Sequence, residues 1–170
     1  SAEMLDREAL KKIRLLVVDD EREFLDGLSR TLGRRGMNVT TADNGAGALE
    51  ILSRQEFDVA LMDVKMPGID GIELMQRILK QYPRMQVLLL TGHPTMDQAL
   101  KGVELGAYDY LLKPQDIDTL SLKILAAFLL CLLYTQAQAA PVRPELGGTG
   151  CNNHATVADL ADYERDGAIC

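Results

Sequence analysis

At 170 residues the chain has room for roughly one domain and a short appendage, and 47% hydrophobic, 25% charged and 5% aromatic residues without tryptophan suit a compact aliphatic core rather than a disordered chain. Its 18 basic against 25 acidic residues leave a formal charge of -7, which argues against electrostatic capture of nucleic acid or an anionic membrane and favours cations and cationic partners. The three cysteines, Cys131, Cys151 and Cys170, all lie in the last quarter, so the rest must fold without disulfides or thiolate-bound metal; with no apolar secretory run in Ser1 to Arg14, the expectation is a cytoplasmic protein.

Five short apolar runs alternate with stretches of helical period: Arg14 to Val18, Asn38 to Ala42, Asp58 to Met62, Gln86 to Leu90 and Asp109 to Leu112. Several lack polar alternation, as in Val87-Leu88-Leu89-Leu90, the pattern of strands covered on both faces. The alternation predicts an α/β domain with a parallel sheet. Between the runs, Phe24, Leu25, Leu28 and Leu32 recur at helical spacing, as do Ile72, Met75, Leu79 and Tyr82, and Met96, Ala99, Leu100 and Val103. Each set is expected to form one buried stripe. Gly36 and Gly106 fall where helices would stop, and Asn44-Gly45 and Pro67-Gly68 punctuate connections. A fifth helix should begin near Gln115 or Asp116.

After Lys123 the character changes. Ile124 to Tyr134 is unbroken apolar sequence, shorter than the roughly 20 residues of a bilayer span, so a membrane span is not favoured. Apolar all round, this piece needs cover from the tail, another subunit or something further. From Thr135 the composition resembles a linker, with a short helix expected over Val157 to Tyr163. The break in mid-helix leaves two readings of the tail, a docking or dimerisation element or a sequence-frame artefact. Cys151-Asn-Asn-His154 has metal-like spacing but lacks a second pair and reads as chance.

The chemistry gathers at strand ends. In a doubly wound sheet, ligands bind beyond the carboxyl ends of the strands. There the sequence delivers Asp19-Asp20 after the first strand, Asp63 after the third, Thr91-Gly92 after the fourth and Lys113-Pro114 after the fifth. Taken singly, each is an ordinary turn or helix-start residue. Together, three carboxylates repel one another until a divalent cation or an ammonium relieves them. Mg²⁺ is the natural cation for such oxygen donors, and Lys113 supplies the ammonium. A metal, a lysine, a hydroxyl and one free carboxylate equip a site for phosphoryl transfer onto that carboxylate.

These residues carry a family resemblance. Leu-Leu-Val-Val-Asp19-Asp20-Glu, Ala-Leu-Met-Asp63-Val-Lys-Met-Pro-Gly-Ile-Asp-Gly, Leu-Leu-Leu-Thr91-Gly92-His and Gly-Ala-Tyr-Asp-Tyr110-Leu-Leu-Lys113-Pro114 follow one another at the intervals of the receiver domain of two-component response regulators. The chain resembles that family from about Ile13 to Phe128. This divides it into a lead-in at 1–12, a receiver at 13–128 and an extension of unknown role at 129–170. The resemblance implies a flavodoxin-like five-stranded parallel sheet of order 2-1-3-4-5 with helices on both faces. It implies that Asp63 is the phospho-acceptor, served by a sensor histidine kinase or phosphotransfer protein, and that the domain is a signalling module rather than a turnover enzyme. Asp20, Asp63 and the Lys65 backbone carbonyl would bind Mg²⁺ directly and Asp19 through water. Thr91 and Lys113 would contact the phosphoryl group, Thr91 and Tyr110 would form the switch, and the Lys113-Pro114 peptide would be cis. Lys65 and His93 occupy positions that border the path of hydrolytic water in this family, where they would tune phosphoryl lifetime.

Phosphorylation would alter the face made by the fourth helix, fifth strand and fifth helix, a candidate homodimer surface along with the tail. No segment after Lys123 resembles a DNA-binding output domain, so no direct nucleic-acid contact is expected. Two alternatives stand beside this reading. One is a phosphatase of the haloacid dehalogenase type, which also uses Asp, Thr or Ser, Lys and Mg²⁺ but carries its nucleophile on the first strand in Asp-x-Asp form. The other is a receiver fragment of a larger transcriptional regulator.

Overall fold

A computed structural model describes residues 7–139, and the expectations placed on Cys151 to His154 and on Val157 to Tyr163 lie outside the described residues. Five strands, β1 (Arg14–Val18), β2 (Asn38–Ala42), β3 (Val59–Met62), β4 (Gln86–Thr91) and β5 (Asp109–Leu112), alternate with five helices, α1 (Arg22–Arg34), α2 (Gly45–Leu52), α3 (Gly71–Gln81), α4 (Met96–Glu104) and α5 (Ile117–Gln138). All strand pairs are parallel, in the order β2-β1-β3-β4-β5. The expected α/β architecture and strand order are both present.

The period of two along each strand sorts the core into two layers. Leu16, Val18, Ala60, Met62, Val87 and Leu89 face α2 and α3, where Leu52, Leu74, Met75 and Ile78 close one cluster. Leu15, Val17, Val59, Leu61, Leu88 and Leu90 face α1 and α5, where Leu25, Leu32, Leu120, Ile124 and Phe128 close the other. Full burial of each such side chain contributes about 1.5–3 kcal/mol before chain entropy is set against it. Four helices begin on a side-chain cap: Asn44, Asp70, Thr95 and Asp116 accept hydrogen bonds from the backbone N–H groups of Gly47, Glu73, Gln98 and Thr119. The four strands β2 to β5 therefore each feed a loop and a capped helix start at one edge of the sheet, while α1, after β1, starts at Glu21 without a side-chain cap.

One of the three expected stripes is not buried. Met96, Leu100 and Val103 are 75%, 56% and 55% exposed, and Gly102 is the one residue that α4 buries fully. Gly102 lets α4 approach closely, since a Cβ there would meet Leu89 Cδ1 at 2.8 Å. Helical spacing identifies an apolar face but does not say that the domain itself covers it. The stripes of α1 and α3 do pack inward, with Leu25, Leu32 and Met75 buried.

Helix α5 differs from the sequence expectation in two ways. It runs unbroken for 22 residues, through the expected boundary at 128, and is long and apolar enough to cross a membrane by length and composition. Its placement gives those residues another use: Leu120, Ile124, Ala127, Phe128 and Cys131 recur at helical spacing and are buried, most of them in the cluster beneath the sheet. The helix is apolar all round but covered on one side. Leu122, Leu129, Leu130, Leu132 and Leu133 remain exposed on the rest of it.

Candidate functional site

Strand register brings the sequence-predicted residues together. Val18 pairs with Met62 and Thr91 with Leu112, so the next residues, Asp19, Asp63 and Lys113, emerge at the same carboxyl edge as Thr91. Backbone hydrogen bonds continue the ladder past the strands, from Asp19 N–H to the Ala42 carbonyl, Asp63 N–H to the Val18 carbonyl and Lys113 N–H to the Thr91 carbonyl, at 3.2, 3.0 and 2.8 Å. The site is thus fixed by sheet hydrogen bonding rather than by a loose loop.

Asp19, Asp20 and Asp63 each bring one carboxylate oxygen within 4.8 Å of the others. Asp19 and Asp63 are 2% and 6% exposed, whereas Asp20 opens to solvent. At such a separation, two charges at an effective dielectric of 20 repel by roughly 3 kcal/mol. Lys113 answers that repulsion. Its ammonium lies 2.6 Å from Asp19 Oδ2, 3.3 Å from Asp63 Oδ2 and 3.4 Å from Glu21 Oε1, on a side chain only 10% exposed. It also sits 4.2 Å from the centroid of the Phe24 ring.

The electrostatics follow from burial and pairing. Burial raises the Asp19 carboxyl above its ordinary value despite the hydrogen bond from Lys113. Burial works to lower Lys113, but the Asp19 hydrogen bond and the charges of Asp19, Asp63 and Glu21 outweigh it and hold the ammonium above its ordinary value. The pocket therefore keeps its cation while disfavouring a full set of unscreened anions, the condition a divalent cation would relieve. Three hard oxygen donors on adjacent loops suit Mg²⁺ in kind and number.

Around this centre, Asp63 Oδ1 accepts from the Lys65 N–H at 3.4 Å, and Asp19 Oδ1 accepts from the Glu21 N–H at 2.9 Å. Thr91 is 1% exposed, and its Oγ1 accepts from the His93 N–H at 3.3 Å. The side chains of Lys65 and His93 are exposed at the rim. Tyr110 is half-buried against the α3-side core, its hydroxyl is buried with no hydrogen-bond partner among the described residues, and burial raises its pKa. The Lys113-Pro114 peptide is cis, as the resemblance implied.

Three contributors were not singled out by the sequence reading. Phe24 was assigned only to the core stripe of α1, and Glu21 only to a motif. Gly71 closes the Pro-Gly-Ile-Asp-Gly segment, and a Cβ there would overlap the Asp63 carbonyl oxygen and meet Val64 Cα at 2.8 Å. Its N–H donates to the Val64 carbonyl at 2.8 Å. Only the missing Cβ lets α3 start hard against the loop that presents Asp63, and the signal for this was the Asp70-Gly71 pair at a helix start.

The comparisons agree with this geometry. The family model described as "Response regulator receiver domain" matches residues 15–125. The DNA-binding transcriptional regulator NtrC of Escherichia coli is 37% identical over 132 residues, 78% of this chain and 27% of that protein. The beryllofluoride-activated NtrC4 receiver domain dimer has a TM-score of 0.66 at 35% identity, covering 69% of this chain and 98% of that one. A response regulator protein from Burkholderia pseudomallei with a phosphorylated aspartic acid and a calcium ion has a TM-score of 0.61 at 32% identity, covering 76% and 74%. The chain spans less than a third of the length of curated relatives such as NtrC and the PilR response regulator of Pseudomonas aeruginosa. A carboxylate at the end of β3, rather than an Asp-x-Asp pair at the end of β1, already separated this fold from the phosphatase alternative. With the receiver-domain match spanning most of the chain and the sheet order and acidic edge in place, the chain belongs to the response regulator receiver domain family.

Proposed function

We propose that this receiver accepts a phosphoryl group on Asp63 from a phosphohistidine donor, a sensor histidine kinase or phosphotransfer protein, and signals through the resulting change in surface. The observation that carries the reading is Lys113: one buried ammonium held between Asp19 and Asp63 at a pocket edge that gathers three carboxylates. An Asp63 oxygen attacks phosphorus, the P–N bond to the donor imidazole breaks, and the imidazole leaves with its electron pair and takes up a proton. The product is an acyl phosphate. Mg²⁺ bound by Asp20, Asp63 and the Lys65 carbonyl, with Asp19 through water, would supply charge neutralisation for the transferring group. Lys113 neutralises another phosphoryl oxygen, and the Thr91 hydroxyl turns from its contact with His93 N–H to donate to a third.

Movement of Thr91 leaves space at the end of β4 into which Tyr110, with its unpartnered hydroxyl, swings. That couples the pocket to α4, β5 and α5, where Met96, Leu100, Val103, Leu112 and Leu122 form an exposed apolar face. This face is the output surface, and a second copy of the domain is its candidate partner. The receiver occupies 13–128 and α5 carries the chain onward into the extension. It works in the cytoplasm as part of a longer transcriptional regulator, a reading supported by the small share of its relatives' length that it spans; contact with DNA would belong to that regulator's other parts.

Incubation of the chain with Mg²⁺ and acetyl phosphate, followed by intact mass, tests the reading. One phosphoryl adduct that is labile in base and missing in Asp63→Asn is the expected result. An adduct that persists in Asp63→Asn, or continuous phosphate release without an adduct, would overturn it.

A further inference from the structure

Among the described residues the ammonium of Lys113 has three carboxylates and one aromatic ring beside it, and two of the carboxylates change in availability during the proposed reaction. Asp19 and Asp63 are candidate metal ligands, so a cation drawing on their oxygens loosens their hold on the lysine. Asp63 changes again on phosphorylation, when one oxygen becomes part of the acyl phosphate and the negative charge moves outward. Glu21 is 62% exposed and holds the ammonium weakly through solvent. The fourth neighbour is the Phe24 ring at 4.2 Å, which neither metal nor phosphoryl group competes for.

We propose that Phe24 is a positioning residue, whose ring face holds the Lys113 ammonium beside Asp63 whether that carboxylate is free, metal-bound or phosphorylated. The inference rests on the reading of Asp63 as phospho-acceptor. An ammonium within about 6 Å of an aromatic centroid is attracted to the negative face of the ring, more strongly when desolvated, and the Lys113 side chain is 10% exposed. The ring itself is anchored. Phe24 packs against the cluster that fixes α1 to the sheet through Leu25 and Leu32, so its position is set by core packing rather than by the pocket. A rigid uncharged contact on one side and changeable anions on the other let the lysine shift toward a phosphoryl oxygen without drifting into solvent.

Ordinary core packing would make the same residue replaceable by leucine, and this is the point on which a test turns. In the full chain, Phe24→Leu keeps an apolar side chain but removes the ring face, and Phe24→Tyr keeps the face. The rate of acetyl phosphate uptake in Mg²⁺ is expected to fall about five- to tenfold in Phe24→Leu and to recover in Phe24→Tyr, with a smaller change in Mg²⁺ affinity than in rate. In the metal-free protein the ε-methylene protons of Lys113 should be shifted upfield by the ring in the parent and in Phe24→Tyr, and not in Phe24→Leu. Uptake by Phe24→Leu at the parent rate, or equal slowing in both variants, overturns the proposal. If the parent takes up no phosphoryl group, the phospho-acceptor reading fails separately and the methylene shift decides the positioning. An unshifted Lys113 in the unmutated protein sinks the proposal even if no variant folds.

Discussion

Strands β1 and β3 each carry a buried aspartate environment at both ends, and the two ends are built on opposite principles. At the amino edge, Asp58 is 5% exposed and receives three hydrogen bonds from one residue: the Arg14 N–H at 2.9 Å, its Nε at 3.2 Å and its Nη2 at 2.8 Å. That carboxylate is fully matched, and its hydrogen bonds hold the Arg14 guanidinium above its ordinary value. At the carboxyl edge, five residues along the same strands, Asp19 and Asp63 share one ammonium and Asp20 adds a third carboxylate beside them. The first arrangement locks two strands in register and leaves no capacity for a ligand. The second leaves oxygen lone pairs and negative charge in excess, which is the capacity a cation or a phosphoryl group uses.

Substitution should separate the two ends. The largest effect is expected at the matched end. Asp58→Ala orphans the Arg14 N–H and takes two hydrogen bonds from its guanidinium, which keeps Glu56 at 3.1 Å and, being half-exposed, recovers some solvent, so the loss in stability should be about 2 kcal/mol. Urea unfolding would show it as a lower midpoint, with Mg²⁺ binding retained. A midpoint unchanged from the parent would mean that the pairing at this edge does not hold the strands.

At the mismatched end the sign should reverse. Because burial raises the folded-state pKa of Asp19, this group favours the folded state in its protonated form. Its contribution is fully present below the unfolded value of about 3.9 and is lost as pH rises through the raised folded value. At neutral pH the charged Asp19 therefore weighs against folding. Asp19→Asn should stabilise the metal-free protein by on the order of 1 kcal/mol at pH 7, with the gain shrinking in acid. The same variant removes the carboxylate assigned to reach the metal through water, so Mg²⁺ binding should weaken about fivefold and the stabilisation by Mg²⁺ should fall by about 1 kcal/mol. Unfolding curves with and without Mg²⁺ at two pH values measure both. Destabilisation of the metal-free variant would place Asp19 with Asp58 as a structural residue.

The two ends were unequally legible in the sequence. Asp19, Asp20, Asp63, Thr91 and Lys113 could be assembled because each follows an apolar run and a parallel sheet brings such positions to one edge. Strand order came with the family resemblance, and the period of two accounts for both core layers. The Arg14–Asp58 lock was invisible, because Arg14 reads as a strand start and its partner lies 44 residues away. Phe24 was hidden by its own periodicity, which placed it in the core stripe and said nothing of the lysine above it. Met96, Leu100 and Val103 failed for a related reason: spacing reports that residues share a face, and only tertiary packing decides whether anything covers it. The Gly71 approach needed coordinates, since a missing Cβ matters only when a backbone oxygen occupies its place.

The smallest expected effect concerns the rim rather than either strand end. Lys65 hydrogen-bonds Asp63 Oδ1 through its backbone N–H, a contact that any side chain preserves, while its own side chain is exposed. Lys65→Ala should therefore leave folding nearly untouched and preserve the carbonyl assigned to the metal. What it removes is a long cation that can lean over the acyl phosphate, shielding it from water and pairing with its oxygens. Exposed pairings of this kind are worth about 0.2–1 kcal/mol, so the phosphorylated form should decay about two- to fivefold faster with Mg²⁺ affinity little changed. Decay of purified phosphoprotein, followed by intact mass, gives the lifetime directly, and equal lifetimes for variant and parent would remove Lys65 from the reaction. A faster decay would instead show that the excess charge at this edge is balanced by two lysines, one buried in the ground state and one recruited only after transfer.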